Sequence, residues 1–394
     1  MKTYKYKLYQ HKRTRHLHRQ IEVGADVWNW CIERHRAYYE ETGKYLNKYT
    51  LQKEITQVKK DHPHWTTLGS QAIQDITDRI DKGYQKFFRW LKGGKVGRRV
   101  SPPKFKPRHK YKSFTLKQAG WKLFGDNRLR IGKRVYRYWK SRKILGQIKT
   151  VTVKRDALGD IYVFFVVKEP SIDHFDRQGE ISVGFDFGLK TYLTGSDGST
   201  VESPQFFKRR IQELRKAHRS LSRKKKGSRN RERARKVLAR VYKKIANQRH
   251  DFHFKLSHTL TDKYDLLFFE DLNLGGMKRL WGPKVSDYAF GDFLSILKHV
   301  APSKGCEVHQ VDRWFPSTKL CSSCGYKNNN LTLADRSWTC PQCGISHDRD
   351  LNASINILRG GASSLCGGSV IPVGMNYSLS SVSVAAVDSR ISRL

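Results

Sequence analysis

The sequence predicts a multidomain chain, an α/β domain preceded by helices and a small antiparallel barrel or sheet that the N-terminal strand can join. Three observations predict it. The apolar spacing runs from strict alternation to a helical period and back to alternation before Lys168. A fresh set of apolar strands then begins near Gly179, and two Cys-x-x-Cys pairs stand late in the chain.

Each element follows from its own residues. Tyr4, Tyr6 and Leu8 alternate with Lys5 and Lys7, the pattern of one half-buried strand. From Arg13 to Leu91 glycine and proline are scarce, and Leu51, Ile55, Val58 and Ile73, Ile76, Ile80 recur at helical spacing, which predicts three or four amphipathic helices. Lys92 to Pro107 carries Gly93, Gly94 and Gly97 and ends in Pro102-Pro103-Lys104-Phe105-Lys106-Pro107, an extended basic linker. Between Ser113 and Lys168, the turn signals Gly125-Asp126-Asn127 and Asp156 to Asp160 separate short alternating runs, with Val151, Val153 and Ile161 to Val167 as two strands that the N-terminal strand can join. In the second half, a strand from Ile181 to Phe187 is followed by Thr191 to Thr194, the turn Asp197-Gly198, another short strand, a basic helical pair and a strand from Leu266 to Phe269. Three antiparallel strands, a helical excursion and a fourth strand are the opening order of an RNase H-like α/β fold.

The charge balance restricts function. Lys and Arg number 77 against 35 Asp and Glu, a net +42, while 38% apolar residues exclude a wholly disordered basic tail. So large an excess repels itself in a compact state and calls for a polyanionic partner, nucleic acid above all. The longest apolar run, Ile161 to Val167, is far short of the ~20 residues that span a bilayer, so no membrane partner is expected. The N-terminus lacks a signal-peptide apolar region, which reads as cytoplasmic. The cationic residues concentrate between Lys208 and Arg249, with nineteen Lys or Arg and only Glu213 and Glu232 as acids. Leu214, Leu221, Val237, Leu238, Val241 and Ile245 give this segment an apolar stripe, hence a helical hairpin with cationic outer faces. Arg223, Lys224, Lys225, Lys226, Arg229, Arg231 and Arg235 at and after its tip, with Lys104 and Lys106 of the linker, are the candidate phosphate contacts. Phe87-Phe88-Arg89-Trp90 and Tyr136-Arg137-Tyr138-Trp139-Lys140 mix aromatics with cations, suited to stacking on unpaired bases or to an ordinary core.

Two clusters carry chemistry. Cys321, Cys324, Cys340 and Cys343 have the spacing of a four-cysteine zinc ribbon, each pair followed by glycine, and four thiolates close the coordination shell of one structural Zn²⁺. Cys31, Cys306 and Cys366 lack partners at ligand spacing and read as small apolar residues. The second cluster is acidic. Asp186 alternates with Val183, Phe185 and Phe187; Glu270 ends the apolar run from Leu266; Asp350 opens a helix striped by Leu351, Ile355 and Leu358. Alone, each is explained as a turn residue, a strand end or a helix cap. Together they match a site for two Mg²⁺ ions about 4 Å apart that hydrolyses a phosphodiester. Asp348 and Asp271 are the neighbouring alternatives.

The runs Asn247 to Phe252, Phe269 to Asn273, Phe315-Pro316-Ser317-Thr318-Lys319-Leu320-Cys321-Ser322-Ser323-Cys324-Gly325, Asp335 to Cys340 and Asp348-Arg349-Asp350-Leu351-Asn352-Ala353 closely resemble the transposon-encoded TnpB (OrfB) family, relatives of type V CRISPR effectors. The specific motifs cover Gly184 to Leu358, and the N-terminal half matches more loosely. The resemblance implies an RNA-guided endonuclease that cuts double-stranded DNA beside a short flanking motif, with a guide RNA from the transposon's right end and one RNA per monomer. It implies a RuvC-type nuclease domain over 179–315 and 345–360 with an inserted zinc ribbon at 316–344. A β-barrel wedge domain at 1–12 and 100–178 would be interrupted by a helical recognition domain at 13–99, and 361–394 would form a tail of low order. The catalytic, Mg²⁺-binding roles fall on Asp186, Glu270 and Asp350. In a prokaryote such a protein would be nucleoid-associated. One departure is Phe254-Lys255 where many relatives have His-Lys, with His253 displaced by one. A nucleic-acid-binding regulator without catalysis is the alternative class, and a cut-and-paste transposase keeps the fold but predicts strand transfer.

Overall fold

The computed structural model describes residues 1–168 and 181–365, apart from 13, 126, 189, 274, 278, 280, 281, 283–286 and 333. The chain divides into two compact units, 1–171 and 172–394.

In the first unit, strand β1 (Lys2–Lys7) leads into helices α1 (Thr14–Thr42), α2 (Lys48–Val58) and α3 (Ser70–Lys92), with a 3₁₀ turn at Pro63–Leu68. Strands β2 (Ser113–Leu116), β3 (Trp121–Phe124), β4 (Arg128–Ile131), β5 (Arg134–Arg137), β6 (Gln147–Arg155) and β7 (Ile161–Lys168) follow. The alternation that predicts strands is used as expected: Ile161, Val163, Phe165 and Val167 of β7 are buried and the residues between them less so. The N-terminal strand does join, pairing antiparallel with β7 in a sheet of order β1-β7-β6-β2. The described ladders are this sheet and a separate β3-β4-β5 meander, linked by one bridge between Leu8 and Tyr138.

The helical stretch and the strands, expected as two domains, share one hydrophobic core that runs from Tyr4 through Trp28, Ile76 and Phe114 to Val167. The linker between them is extended but fastened. Trp28 Nε1 donates to Lys104 O at 3.0 Å, and Asn29 both accepts from the Lys106 amide (2.8 Å) and donates to its carbonyl (3.0 Å).

The second unit holds β8 (Ser182–Phe187), β9 (Thr191–Gly195), β10 (Thr200–Glu202), the short α4 (Phe206–Arg209), α5 (Ile211–Ser222), α6 (Arg229–Lys263), β11 (Leu266–Glu270), α7 (Phe290–Val300) and β12 (Glu307–Val311). A small hairpin of β13 (Ser337–Thr339) and β14 (Ser346–Asp348) runs into α8 (Arg349–Leu365). The sheet order is β10-β9-β8-β11-β12, with β8, β9 and β10 mutually antiparallel and β11 parallel to both its neighbours. This carries the strand order read from the sequence. Segment 361–365, expected in the tail, continues α8; the rest of that tail, with Cys366, lies outside the described residues.

The sheet's two faces do different work. Val183, Phe185, Phe187, Leu267 and Phe269 bury one face under Phe252, Leu256 and Leu260 of α6 and Phe290, Phe293 and Leu297 of α7. The opposite face lies under α8, where Phe268 packs on Val311 and Ile357. Here α8 needs two glycines. A Cβ on Gly184 would strike the Ser354 carbonyl and come within 2.5 Å of the Leu358 nitrogen, and one on Gly361 would enter the Phe268 ring. The helix therefore rests on bare β8 backbone.

Helix α5 and the first part of α6 form the basic hairpin around Leu214, Ala217, Leu238, Val241 and Ile245. Val237 is not part of the stripe and is exposed. At 1.5 Å per residue, the 35-residue α6 is about 52 Å long and runs unbroken past Arg249 to Lys263. No helix among the described residues is long and apolar enough to cross a membrane.

Candidate functional site

Strand register brings the first two carboxylates together. Phe268 pairs with Gly184 and Phe269 with Phe185, so one step further along the parallel pair β11 and β8, Glu270 stands beside Asp186. The third comes from α8. Because Ser354 lies on Gly184, Asp350, one helical turn earlier, lies over the next pleat of β8, where Asp186 is. The electrostatics agree: burial, and after it the Asp350 and Glu270 carboxylates, push the Asp186 carboxyl up to about 7, against the opposing pull of Arg349 and the Phe187 amide. Burial and then Asp271 raise Glu270 as well.

Both alternative acids have other work. Asp348 Oδ1 accepts from the Leu351 amide at 2.9 Å, so it takes the cap that the sequence left open to Asp350. Asp271 is held by Arg313 at 2.7 Å. Two cations stand beside Asp350: Arg349 Nε at 3.6 Å and Arg336 Nη1 at 3.7 Å, the latter reaching over from the loop between the cysteine pairs.

The four cysteines converge as their spacing predicts. Their sulfurs all lie within 4.8 Å of one another, with Cys321 to Cys343 at 3.7 Å and Cys324 to Cys340 at 3.5 Å. Sulfurs about 2.3 Å from a tetrahedral zinc ion stand about 3.8 Å apart, so the set fits a metal such as zinc. The two halves repeat one geometry. Gly325 and Gly344 take positive φ (79° and 71°), and their amides donate to the Cys321 and Cys340 carbonyls at 2.9 Å. The Cys321 and Cys340 amides in turn donate to Tyr326 and Ile345 carbonyls. Cys31 and Cys306 are buried apolar residues, as expected.

This loop is tied to α8 by two buried asparagines. Asn352 accepts from the Ser322 amide (2.8 Å) and donates to Leu320 O (2.7 Å); Asn356 donates to Ser317 O (2.8 Å) and Leu320 O (2.7 Å). Arg359 also donates to Ser322 O.

A protein of Streptomyces pristinaespiralis named "Putative RNA-guided DNA endonuclease" is 30% identical to this chain, over 87% of the chain and 83% of its own length. The chain belongs to the TnpB (OrfB) family. A second member, "Putative RNA-guided DNA endonuclease InsQ" of Escherichia coli K12, is 26% identical over 88% of this chain and 89% of its length. Residues 164–280 match the family model described as "Probable transposase" (OrfB_IS605), and 290–357 match "Cas12f1-like, TNB domain". Asp186 and Glu270 fall in the first match, the cysteines and Asp350 in the second. Among solved structures, the "mini-RNA-guided endonuclease CRISPR-Cas_phi3" superposes with a TM-score of 0.48 at 10% identity, covering 94% of this chain and 93% of that one.

The expected nucleic-acid contacts of this TnpB chain divide. Arg223, Lys224, Lys225, Lys226, Arg229, Arg235 and Lys104 are exposed. Lys106 is not a free cation: its Nζ lies 3.4 Å from the Trp28 ring centre, and burial, then Arg79, pushes it down to about 8. Arg231 donates to Leu221 O (2.9 Å) and Lys224 O (2.8 Å), closing the end of α5. Tyr136 and Tyr138 are core residues, and Trp139 is the exposed aromatic of that run, stacked on Tyr9. His253 is buried, 3.2 Å from the Tyr192 hydroxyl, and burial pushes it down to about 4, so the shifted histidine is a neutral core residue.

Sequence reasoning missed Gly184, Arg336, Asn352 and Asn356. Gly184 had a signal, a glycine inside an apolar strand two residues before an acid. The asparagines had one too, spaced i, i+4 on a helix with an apolar stripe. Arg336 had none.

Proposed function

We propose that this chain is an RNA-guided DNA endonuclease encoded by a transposon, which cuts double-stranded DNA next to a short flanking motif by Mg²⁺-dependent hydrolysis. The observation that carries the reading is the Asp186 carboxyl, held at about 7 among the Asp350 and Glu270 carboxylates. Three acids from three elements gathered at a half-buried strand end serve no packing purpose, and a divalent cation would relieve their mutual repulsion. Asp186, Glu270 and Asp350 would hold Mg²⁺, which when bound supplies an activated water and stabilises charge on the phosphodiester oxygens.

The chain's own residues supply the rest. Gly184 lets α8 lie close enough for Asp350 to reach the sheet. Asn352 and Asn356 position that helix through the cysteine loop, where Cys321, Cys324, Cys340 and Cys343 would hold one structural Zn²⁺. Arg336, more than half exposed beside Asp350, is the cation that an incoming phosphate meets. The exposed cations at the tip of the α5–α6 hairpin hold RNA and heteroduplex backbone by charge and shape, while guide pairing reads sequence.

The test is to co-express the protein with RNA transcribed from the gene's 3′ flank and incubate the complex, with Mg²⁺, on plasmids carrying a guide-matched target beside randomised sequence. Double-strand breaks confined to matched targets that share a flanking motif are expected. Tight guide-dependent binding without cutting would contradict the nuclease and leave an RNA-guided binder. Joining of a donor end would show a transposase.

A further inference from the structure

Trp314 is 85% exposed, the most exposed large hydrophobic side chain of the second unit's described residues, yet its surroundings are fixed. It follows β12, whose Val311 stands opposite Glu270 in the parallel register. On one side, Arg313 holds Asp271, the residue after Glu270, by Nη2 to Oδ2 at 2.7 Å and Nε to the carbonyl at 3.3 Å. On the other, Phe315 packs with Phe268, Val311 and Ile357 and sits on Gly360 of α8. The turn is closed by Asp312, whose Oδ1 accepts from the Trp314 amide at 2.8 Å and whose carbonyl accepts from Phe315 at 3.1 Å. Both neighbours are anchored, and the indole between them faces solvent.

Trp314 follows Val311 by three positions, so its backbone lies within about 10 Å of Val311, the residue that stands opposite Glu270. Beside the same strand end is an open groove lined by Asp271, Leu272, Phe290, Leu294, Lys298 and His299, which offers the Lys298 ammonium beside apolar surface. An exposed indole on an anchored turn near the same strand end, in a chain of net charge +42, suits one ligand chemistry: the π-face of an unpaired base on a polyanionic strand.

We propose that Trp314 is a base-stacking platform for single-stranded DNA, holding a nucleotide next to the one whose phosphodiester lies at Asp186, Glu270 and Asp350. The inference rests on the nuclease reading of those carboxylates. It adds a specific contact that positions a strand without reading its sequence, since every base offers a stacking face.

The RNA-bound complex carrying Asp186→Ala is titrated with single-stranded DNA bearing 2-aminopurine at successive positions. Stacking quenches the probe at one or two positions. Trp314→Ala restores its fluorescence and weakens strand binding by about tenfold, and Trp314→Phe keeps most of both. Because the side chain is solvent-exposed, the Ala variant melts at the wild-type temperature, which separates loss of stacking from loss of fold. No quenched position, or quenching unchanged in Trp314→Ala, overturns the proposal. So does a Trp314→Ala variant that sediments differently but binds DNA as before, since the indole would then serve a protein contact. The readout needs no cleavage, so failure of the nuclease reading appears separately, as a wild-type complex that binds matched plasmid and leaves it uncut.

Discussion

The cysteine cluster and the carboxylate cluster are both candidate metal sites in one unit, and they are built in opposite ways. The four sulfurs come from one loop, lie within 4.8 Å of one another and repeat a single glycine-closed turn. The three carboxylates come from β8, β11 and α8, and Asp186 is driven up to about 7 by burial and by its acidic neighbours. A structural site is closed by local sequence and organises the chain around it. The acidic site is assembled by tertiary register against its own repulsion, a tension that a bound divalent cation would relieve.

The largest effect expected from breaking this contrast falls on the closed site. Cys321→Ser, or a chelator, removes on the order of 10 kcal/mol of local folding free energy. Limited proteolysis then cuts between residues 321 and 343, and cleavage of DNA is lost because Asn352 and Asn356 no longer anchor α8. Resistance to protease after verified metal loss would refute a structural zinc.

The open site predicts the reverse, a stabilisation on removal of a ligand. In the metal-free protein Asp186 has a folded value of about 7 against 3.8 for the ordinary carboxyl. The folded state therefore binds the extra proton between those values. Its contribution to stability is complete below pH 3.8 and lost as pH rises through about 7. At ~1.4 kcal/mol per unit this reaches roughly 4 kcal/mol. Asp186→Asn should accordingly melt above the metal-free wild type at pH 8 and level with it at pH 4. Equal differences at both values would mean that Asp186 carries no such tension.

Gly184→Ala sharpens the comparison by moving α8 without touching a carboxylate. Overpacking of this kind costs about 1–3 kcal/mol. DNA cleavage should fall much further than RNA binding, as compared by plasmid cutting and gel shift. The smallest effect belongs to the hairpin tip. Converting Lys224, Lys225 and Lys226 to Ala should leave folding unchanged and lower the slope of log affinity for RNA against log salt by up to about two units.

The same contrast governs what was legible. Cys321 to Cys343 could be read as a site because all the ligands lie in one short loop with a spacing set by coordination geometry. The sheet order was legible because β8 to β11 follow one another with clear apolar runs. Asp186 and Glu270 were legible as acids interrupting apolar strands, but their adjacency depends on a parallel pairing between residues 84 positions apart (270 − 186 = 84). The sequence favours Asp350 over its neighbour Asp348, and the bond from the Leu351 amide to Asp348 gives that neighbour the capping role instead. Lys106 and Arg231 were misread for a related reason. In a chain this basic, most cations face solvent, and nothing local reveals that one lies over Trp28 and another closes the end of α5. The linker at 92–107 suggested a boundary by its glycines and prolines, whereas Trp28 and Asn29 fasten it into the surrounding unit.

The central claim is that three carboxylates drawn together against their repulsion form the cutting site. Its most direct measurement compares wild type with Asp186→Ala, Glu270→Ala and Asp350→Ala as RNA-bound complexes on guide-matched plasmid with Mg²⁺. Each single variant should lose at least about 10³-fold in cleavage rate while binding RNA and matched DNA as the wild type does. Cutting by any of them at a near wild-type rate would contradict the account.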